Sequence, residues 1–226
     1  MITFSVSNAI DAGWQLAKKH GLMFALLLFG WAILSNLIAV PANAWAALAS
    51  GNSIAFQETL NVSFYAPEKI LLQLLSIIVS MGFATNYLRI ARGQMESFSF
   101  QGFVHPLAVY GKYVAYSIIM GVVVAIGLVF LIVPGLYLGA RLWMGSYYIL
   151  DHPEASLEEA FRFSWRATAG SAWTQVGFLV ALVLVALAGL LACCVGIFFT
   201  RVIVGFAMVV AYLQYNDAYN EGIVLS

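Results

Sequence analysis

An all-α polytopic membrane protein with six spans is the fold class this chain predicts. Three observations carry that expectation. Of 226 residues, 63% are hydrophobic and only 9% are charged, against about 25% charged in a typical soluble domain. The mean hydropathy is +0.93. Successive apolar runs reach the roughly 20 residues that a helix needs to cross hydrocarbon, with only short polar segments between them. The whole chain, 1–226, reads as a single transmembrane domain.

The first span is expected over 21–47, beginning at the run Gly21–Val40 after Lys18, Lys19 and His20. That run exceeds the apolar core of a secretory signal, so Ala42-Asn43-Ala44 is read as part of a mature helix and not as a cleavage site. The second span is placed at 67–90, opening on Pro67, where the missing N–H of proline is tolerated. The third covers 111–133. Pro134-Gly135 then reads as a helix break, followed by a short fourth span over 136–150. Leu128–Leu150 as one kinked helix or a re-entrant segment is the alternative. The fifth and sixth spans are placed at 171–192 and 197–215, turning at Gly196. The polar segment Ser50–Ala66 joins the first two and contains the sequon Asn61-Val62-Ser63.

Charge placement supports the count. Lys and Arg beside spans favour the cytoplasmic side. With six spans and both termini inside, Lys18, Lys19, Arg89, Arg92, Lys112, Arg162 and Arg166 all fall on that side and Lys69 falls outside. Five spans would put Arg162 and Arg166 outside.

Two amphipathic segments repeat. Ser5–Lys18 and Ser156–Ala169 superpose with Ser5 on Ser156, Ala9 on Ala160, Ile10 on Phe161 and Trp14 on Trp165. The apolar matches fall at helical spacing. Glu158 and Arg162 stand four apart, a favourable helical pair, and Ser156 with Glu159 forms a capping-box pattern. Both segments, 5–18 and 156–169, therefore read as helices lying in the membrane interface, each preceding a transmembrane hairpin. Tryptophan suits that depth. A third copy starting at Ser99 is in register until Pro106 breaks it.

Arg141 is the sharpest single residue. At 1.5 Å per residue it lies about 10 Å beyond Pro134 and about 15 Å before Asp151. A charge at that depth is costly and faces a partner or a wet cavity. It is either a contact for an anionic ligand or lipid headgroup, or a donor to backbone carbonyls freed by the helix break. Arg201 poses the same question and can snorkel outward. Gln73, Ser76 and Ser80 share one face of the second span and either line a polar path or hold helices together. Gly135 and Gly139 form a small-xxx-small surface. Every Asp and Glu lies in a loop or near a span end, which counts against an ion-coupled transporter. Zinc, phosphate-loop and nucleophile motifs are absent from the sequence. The adjacent Cys193 and Cys194 read as small apolar residues.

The segment Pro134-Gly135-Leu136-Tyr137-Leu138-Gly139-Ala140-Arg141-Leu142, the later Tyr148–Asp151 and the helix Ala160–Gly170 extend this reading. Together they resemble the PG-Y-x-x-x-R … D … A-x-x-x-S-W-x-x-T-x-G signature of YciC-like bacterial six-span membrane proteins. A related region is the membrane domain attached to some glycerophosphodiester phosphodiesterases. The motif part of the resemblance covers 134–170; the rest agrees in span pattern. The resemblance implies an inner-membrane protein in which Arg141 and Trp165 matter. The phosphodiesterase domain is a separate soluble unit, so its activity does not carry over.

The expected function is non-catalytic, without metal or cofactor. The chain would bind membrane lipids, or a membrane-protein partner or second copy of itself, and support envelope integrity. Arg141, Trp14, Trp165, Arg162 and Arg166 would be the headgroup contacts. The alternative is a carrier or channel for a lipid-like or small amphipathic solute. The net charge of zero excludes the basic surface that nucleic-acid binding requires.

Overall fold

In the computed structural model, which describes residues 4–39, 51, 67–191 and 193–221, every regular element is helical. In chain order these are α1 (Val6–Ala39), α2 (Pro67–Ala91), a 3₁₀ turn (Phe100–Phe103), α3 (Leu107–Phe130), α4 (Ile132–Leu142), α5 (Met144–Asp151), α6 (Leu157–Ala167), α7 (Ala172–Leu191) and α8 (Cys193–Asn220). Five of them, α1, α2, α3, α7 and α8, contain stretches long and apolar enough to cross a membrane. The expected loop Ser50–Ala66 with its sequon, Ala42–Ala44 and the side chains of Cys193 and Cys194 lie outside the described residues.

The fourth expected span is corrected. No single helix covers 136–150; α4 and α5 share the distance, with Trp143 between them. The chain leaves α3 at Leu131, whose extended backbone (φ −163°, ψ 146°) makes the turn. The break therefore precedes Pro134 and Gly135, which sit in the first turn of α4 instead of interrupting a helix. Proline is harmless there because its missing N–H would have no helical partner. Gly135 matters for a different reason. A Cβ on it would lie 2.6 Å from the Leu128 nitrogen, and one on Gly127 would lie 2.8 Å from the Gly135 Cα. These two glycines let α3 and α4 touch backbone to backbone. Gly139, the other half of the expected small-residue surface, meets Val124 only at an ordinary 3.7 Å.

From that turn α4 and α5 retrace α3 along its length. The Tyr116 hydroxyl of α3 donates to the Leu142 carbonyl at 2.5 Å. Further on, Lys112 Nζ donates to the carbonyls of Pro153 and Ala155, each at 2.8 Å. The break at Trp143 has a local cause. The carbonyls of Arg141, Leu142 and Trp143 each accept a hydroxyl, from Ser164, Tyr116 and Ser146 respectively. Side chains thus serve carbonyls that a straight helix would bond internally. Together 132–151 span about 30 Å at helical rise, the thickness of a bilayer core.

The N-terminal expectation is also corrected. Residues 5–18 are not a separate helix; α1 runs unbroken through Lys18, Lys19 and His20. The segment 156–169 does form its own helix, α6, and it carries both bonds of the Ser156–Glu159 capping box. It ends where Gly170 adopts φ +87°, a conformation that costs a Cβ-bearing residue. At the matching position of α1 stands Lys19, and nothing there turns the chain. The two segments still bury the same stripe: Ala9, Gly13 and Ala17 in one, Ala160, Ser164 and Thr168 in the other. Gly13 is the closest approach, since a Cβ there would lie 2.7 Å from the Ala207 backbone nitrogen of α8. The third copy is a 3₁₀ turn, not a helix. It packs on α2 through Gly82 and Gly102, with Ser99 N–H donating to Asn86 Oδ1 at 2.8 Å.

The long helix α8 is central and touches α1, α2, α5, α6 and α7. Around it Phe24, Phe83, Tyr87, Phe178, Phe206 and Tyr212 form an aromatic core, with Phe24 and Tyr87 stacked at 4.7 Å. Phe4 packs on Tyr215 at 5.1 Å, and Tyr212 donates to Asp151 at 2.8 Å. The start of the described chain and the last turns of α8 therefore lie at the Asp151 end of the bundle.

Candidate functional site

Arg141 and Trp165 are brought together. The guanidinium carbon lies 3.9 Å from the Trp165 ring centroid. One terminal nitrogen donates to the Trp165 carbonyl, and the other donates to the Tyr137 hydroxyl at 3.1 Å. The Trp165 carbonyl belongs to the last turn of α6, where helical carbonyls lack internal partners and the helix dipole is negative. Arg141 thus caps α6. The carbonyls freed by the α4–α5 break are served by hydroxyls and not by this guanidinium. Arg141 is only 7% exposed, and its Nε has no partner among the described residues.

The other expected headgroup contacts do not join it. Arg162 pairs with Glu158 on the exposed face of α6, and Arg166 is exposed beside it. Trp14 packs on Phe199 at 5.9 Å and under Lys18 at 5.1 Å, on α1. The apolar face of α6, with Ala160, Phe163 and Ala167, is buried by protein. Phe161 stacks on Tyr116 at 4.3 Å and Phe163 on Tyr148 at 4.4 Å. Protein therefore covers this face of α6. The exposed side of α6 is charged, with Trp165 half-exposed on it.

A half-enclosed cavity of about 490 Å³ lies elsewhere, between α1, α2 and α8. Its volume falls in the range of small-molecule sites. Ser76 and Ser80 line it, as the polar-path expectation requires, but Gln73 does not and is exposed elsewhere. From α1 come Leu28, Trp31, Ser35 and Asn36; from α8 come Val204, Met208 and Arg201. Tyr87, Tyr113 and Tyr147 complete the wall. Arg141 does not line it. The charge among the described lining residues is Arg201, which the sequence left between a ligand contact and a snorkelling residue.

Most of the polar groups here bond within their own helix, and Ser80 also meets the Tyr113 hydroxyl of α3. Ser80 donates to the Ile77 carbonyl at 2.7 Å, Ser35 to the Ala32 carbonyl at 3.1 Å, and Asn36 Nδ2 to the same carbonyl at 2.7 Å. Each bonds its own helix, so the oxygen lone pairs remain for the cavity.

Behind the cavity lies a second feature that sequence reasoning missed. Tyr147 stacks on Tyr212 at 5.8 Å. Tyr212 donates to Asp151, and Arg92 from the end of α2 grips the same carboxylate with both terminal nitrogens, one at 2.6 Å. The Asp151 side chain is 4% exposed. Arg92 and Asp151 are 59 residues apart, so no local spacing announces the pair. Beyond it, Thr85 of α2 meets His105 Nε2 at 3.1 Å, and the same nitrogen donates to the Gly102 carbonyl. Burial pushes this imidazole below its usual value.

No family model matches the chain, and neither does any curated protein or solved structure.

Proposed function

We propose that this is a non-catalytic membrane protein that holds an amphipathic, lipid-like molecule in the cavity between α1, α2 and α8. The observation that carries the reading is the two-sided lining. Leu28, Val79, Val204 and Met208 offer hydrocarbon, while Ser35, Asn36, Ser80 and Arg201 offer polar groups in the same space. A dry packing defect would be apolar throughout. A role in envelope integrity, placement in a bacterial inner membrane and a cytoplasmic Asp151 end belong to the same proposal. They are supported by the clustering of Arg92, Lys112 and Arg162 near that end and by the positive-inside tendency.

The test is native mass spectrometry of the chain released from its own membrane, beside Ser80→Trp. Ser80 is exposed into the cavity, so the indole fills space without entering the core. A co-purified amphiphile present in the parent and lost in the variant is expected. Equal lipid content in both would refute the reading.

A carrier for the same class of molecule is the second reading. The observation in its favour is that Tyr147, which lines the cavity, stacks on Tyr212, which in turn bonds Asp151. Faster exchange of a fluorescent lipid across vesicles in Tyr147→Ala than in the parent is the expected result; equal rates would remove this reading.

A further inference from the structure

Resting on that reading, we infer that the cavity is selective for an anionic, hydroxyl-bearing headgroup, whose phosphate or equivalent anion sits on Arg201. Arg201 lies about 7.5 Å along α8 from Gly196, at 1.5 Å per residue, in the second turn of the membrane-length apolar stretch that begins there, and it is exposed. A guanidinium at that depth needs an anion, water or a rich set of acceptors.

Four of the chain's other cations have described partners, whereas Lys19, Arg89 and Arg166, like Arg201, have no ion pair or hydrogen bond among the described residues. Arg92 holds Asp151, Arg162 holds Glu158, Arg141 holds the Trp165 carbonyl and Lys112 holds backbone carbonyls. Arg201 makes no ion pair or hydrogen bond among the described residues, and it faces the cavity. No acidic residue stands among the described lining residues, so the negative charge comes with the ligand. Guanidinium recognises phosphate through two parallel N–H donors.

The rest of the headgroup follows from proton accounting. The Ser35 and Ser80 hydroxyls spend their protons on their own helices. Ser35 and, beside its contact with Tyr113, Ser80 therefore present acceptors, which suit a ligand that donates. An ammonium group would find no carboxylate among the described lining residues, whereas hydroxyls need none. Glycerol-type headgroups combine an anionic phosphate with free hydroxyls.

The full-length chain in micelles doped with phosphatidylglycerol or phosphatidylcholine provides the test, with bound lipid counted by native mass spectrometry. The parent should prefer phosphatidylglycerol. Arg201→Gln should keep lipid but lose that preference by about tenfold or more, the worth of a charged hydrogen bond. Removing a cation from the hydrocarbon eases insertion, so this variant should fold. Arg201→Lys, keeping charge without the fork, should fall between. A parent with no preference, or Arg201→Gln that retains it, would overturn the inference while leaving the cavity reading intact. If Ser80→Trp binds both lipids like the parent, the cavity reading itself fails and takes the inference with it. Glycerol phosphate serves as the soluble probe. Arg201-dependent binding of it without lipid binding would uphold the anion site, assign its source to water and remove the amphiphile reading.

Discussion

Replacing Arg141 by leucine should destabilise the protein without touching the cavity. The variant leaves the Trp165 carbonyl at the end of α6 without its charged donor. A hydrogen bond to a charged group contributes about 1.5–3 kcal/mol. The face contact with Trp165 at 3.9 Å adds about 0.5–2 kcal/mol by cation–π attraction. Against this, leucine removes a buried charge and its unpartnered Nε, relieving about 1–3 kcal/mol. The balance is a loss of about 2 kcal/mol, or about 4–8 °C in melting temperature for a chain of this size. The assay is thermal unfolding in one fixed detergent, read by tryptophan fluorescence, with hydrogen exchange over α6 to localise the change. Arg141→Lys keeps the charge and loses the fork, so it should fall between parent and leucine. Lipid binding measured alongside should be unchanged. An Arg141→Leu protein as stable as the parent, or one that sheds bound lipid while staying folded, would refute the capping argument and return Arg141 to the ligand.

Four further outcomes follow from the packing. Asp151→Asn should cost about 2 kcal/mol, below the 3–5 typical of a broken buried pair because Arg92 is partly solvated; Arg92→Leu on the Asp151→Asn background should recover part of it in the same melt, and an additive loss would contradict the pairing. Ser156→Ala removes the N-cap of α6 and should cost about 1 kcal/mol. Bonds from Ser156 hold the Glu159 carboxyl below its usual 4.5, so its contribution is full above that value and fades as pH falls through the lower folded value; faster amide exchange in α6 at low pH in the parent, absent in Glu159→Gln, checks the sign. Gly13→Val drives a Cβ to 2.7 Å from the Ala207 nitrogen and should separate α1 from α8 at about 1–3 kcal/mol, seen as a lower melting temperature; an unchanged melt would mean that α1 slides freely on α8.

Local signals were legible and non-local ones were not. Proline 67 and the apolar run behind it placed α2 within one residue, and the run 171–192 placed α7 equally well. The capping box of α6 was readable because all its partners lie within four residues. Arg141 was found by depth alone, which is a one-dimensional quantity. Its partner required knowing that α6 folds back over α4, 24 residues on. Arg201 raised the same question and stayed open, because whether a cation snorkels or faces a cavity depends on α1 and α2, which sequence distance separates from α8. The turn at Leu131 was missed because proline at the third position of a helix looks like proline between helices. What marks the true turn is the pair Gly127 and Gly135, whose meaning appears only when α4 returns along α3.

The repeat separates two kinds of information that periodicity analysis merges. Ala9, Gly13 and Ala17 bury the same positions as Ala160, Ser164 and Thr168, and Trp14 and Trp165 are both exposed, at 40% and 47%. Helical spacing thus gives both copies a common inward face, although the matched Ile10/Phe161 and Trp14/Trp165 positions flank it and the tryptophans stay outside. It does not encode where a helix stops. One copy runs on into a span and the other halts, and beyond the halt Gly170, with its φ of +87°, stands where α1 has Lys19. A lysine is at ease in continuous helix, whereas glycine alone enters the left-handed region without strain. The halt frees the last carbonyls of α6, and Arg141 is there to receive one of them. In α1 there is no halt and no freed carbonyl, and the stripe instead lies against α8 at Gly13. The buried arginine beneath the second copy is therefore a consequence of the glycine that ends it.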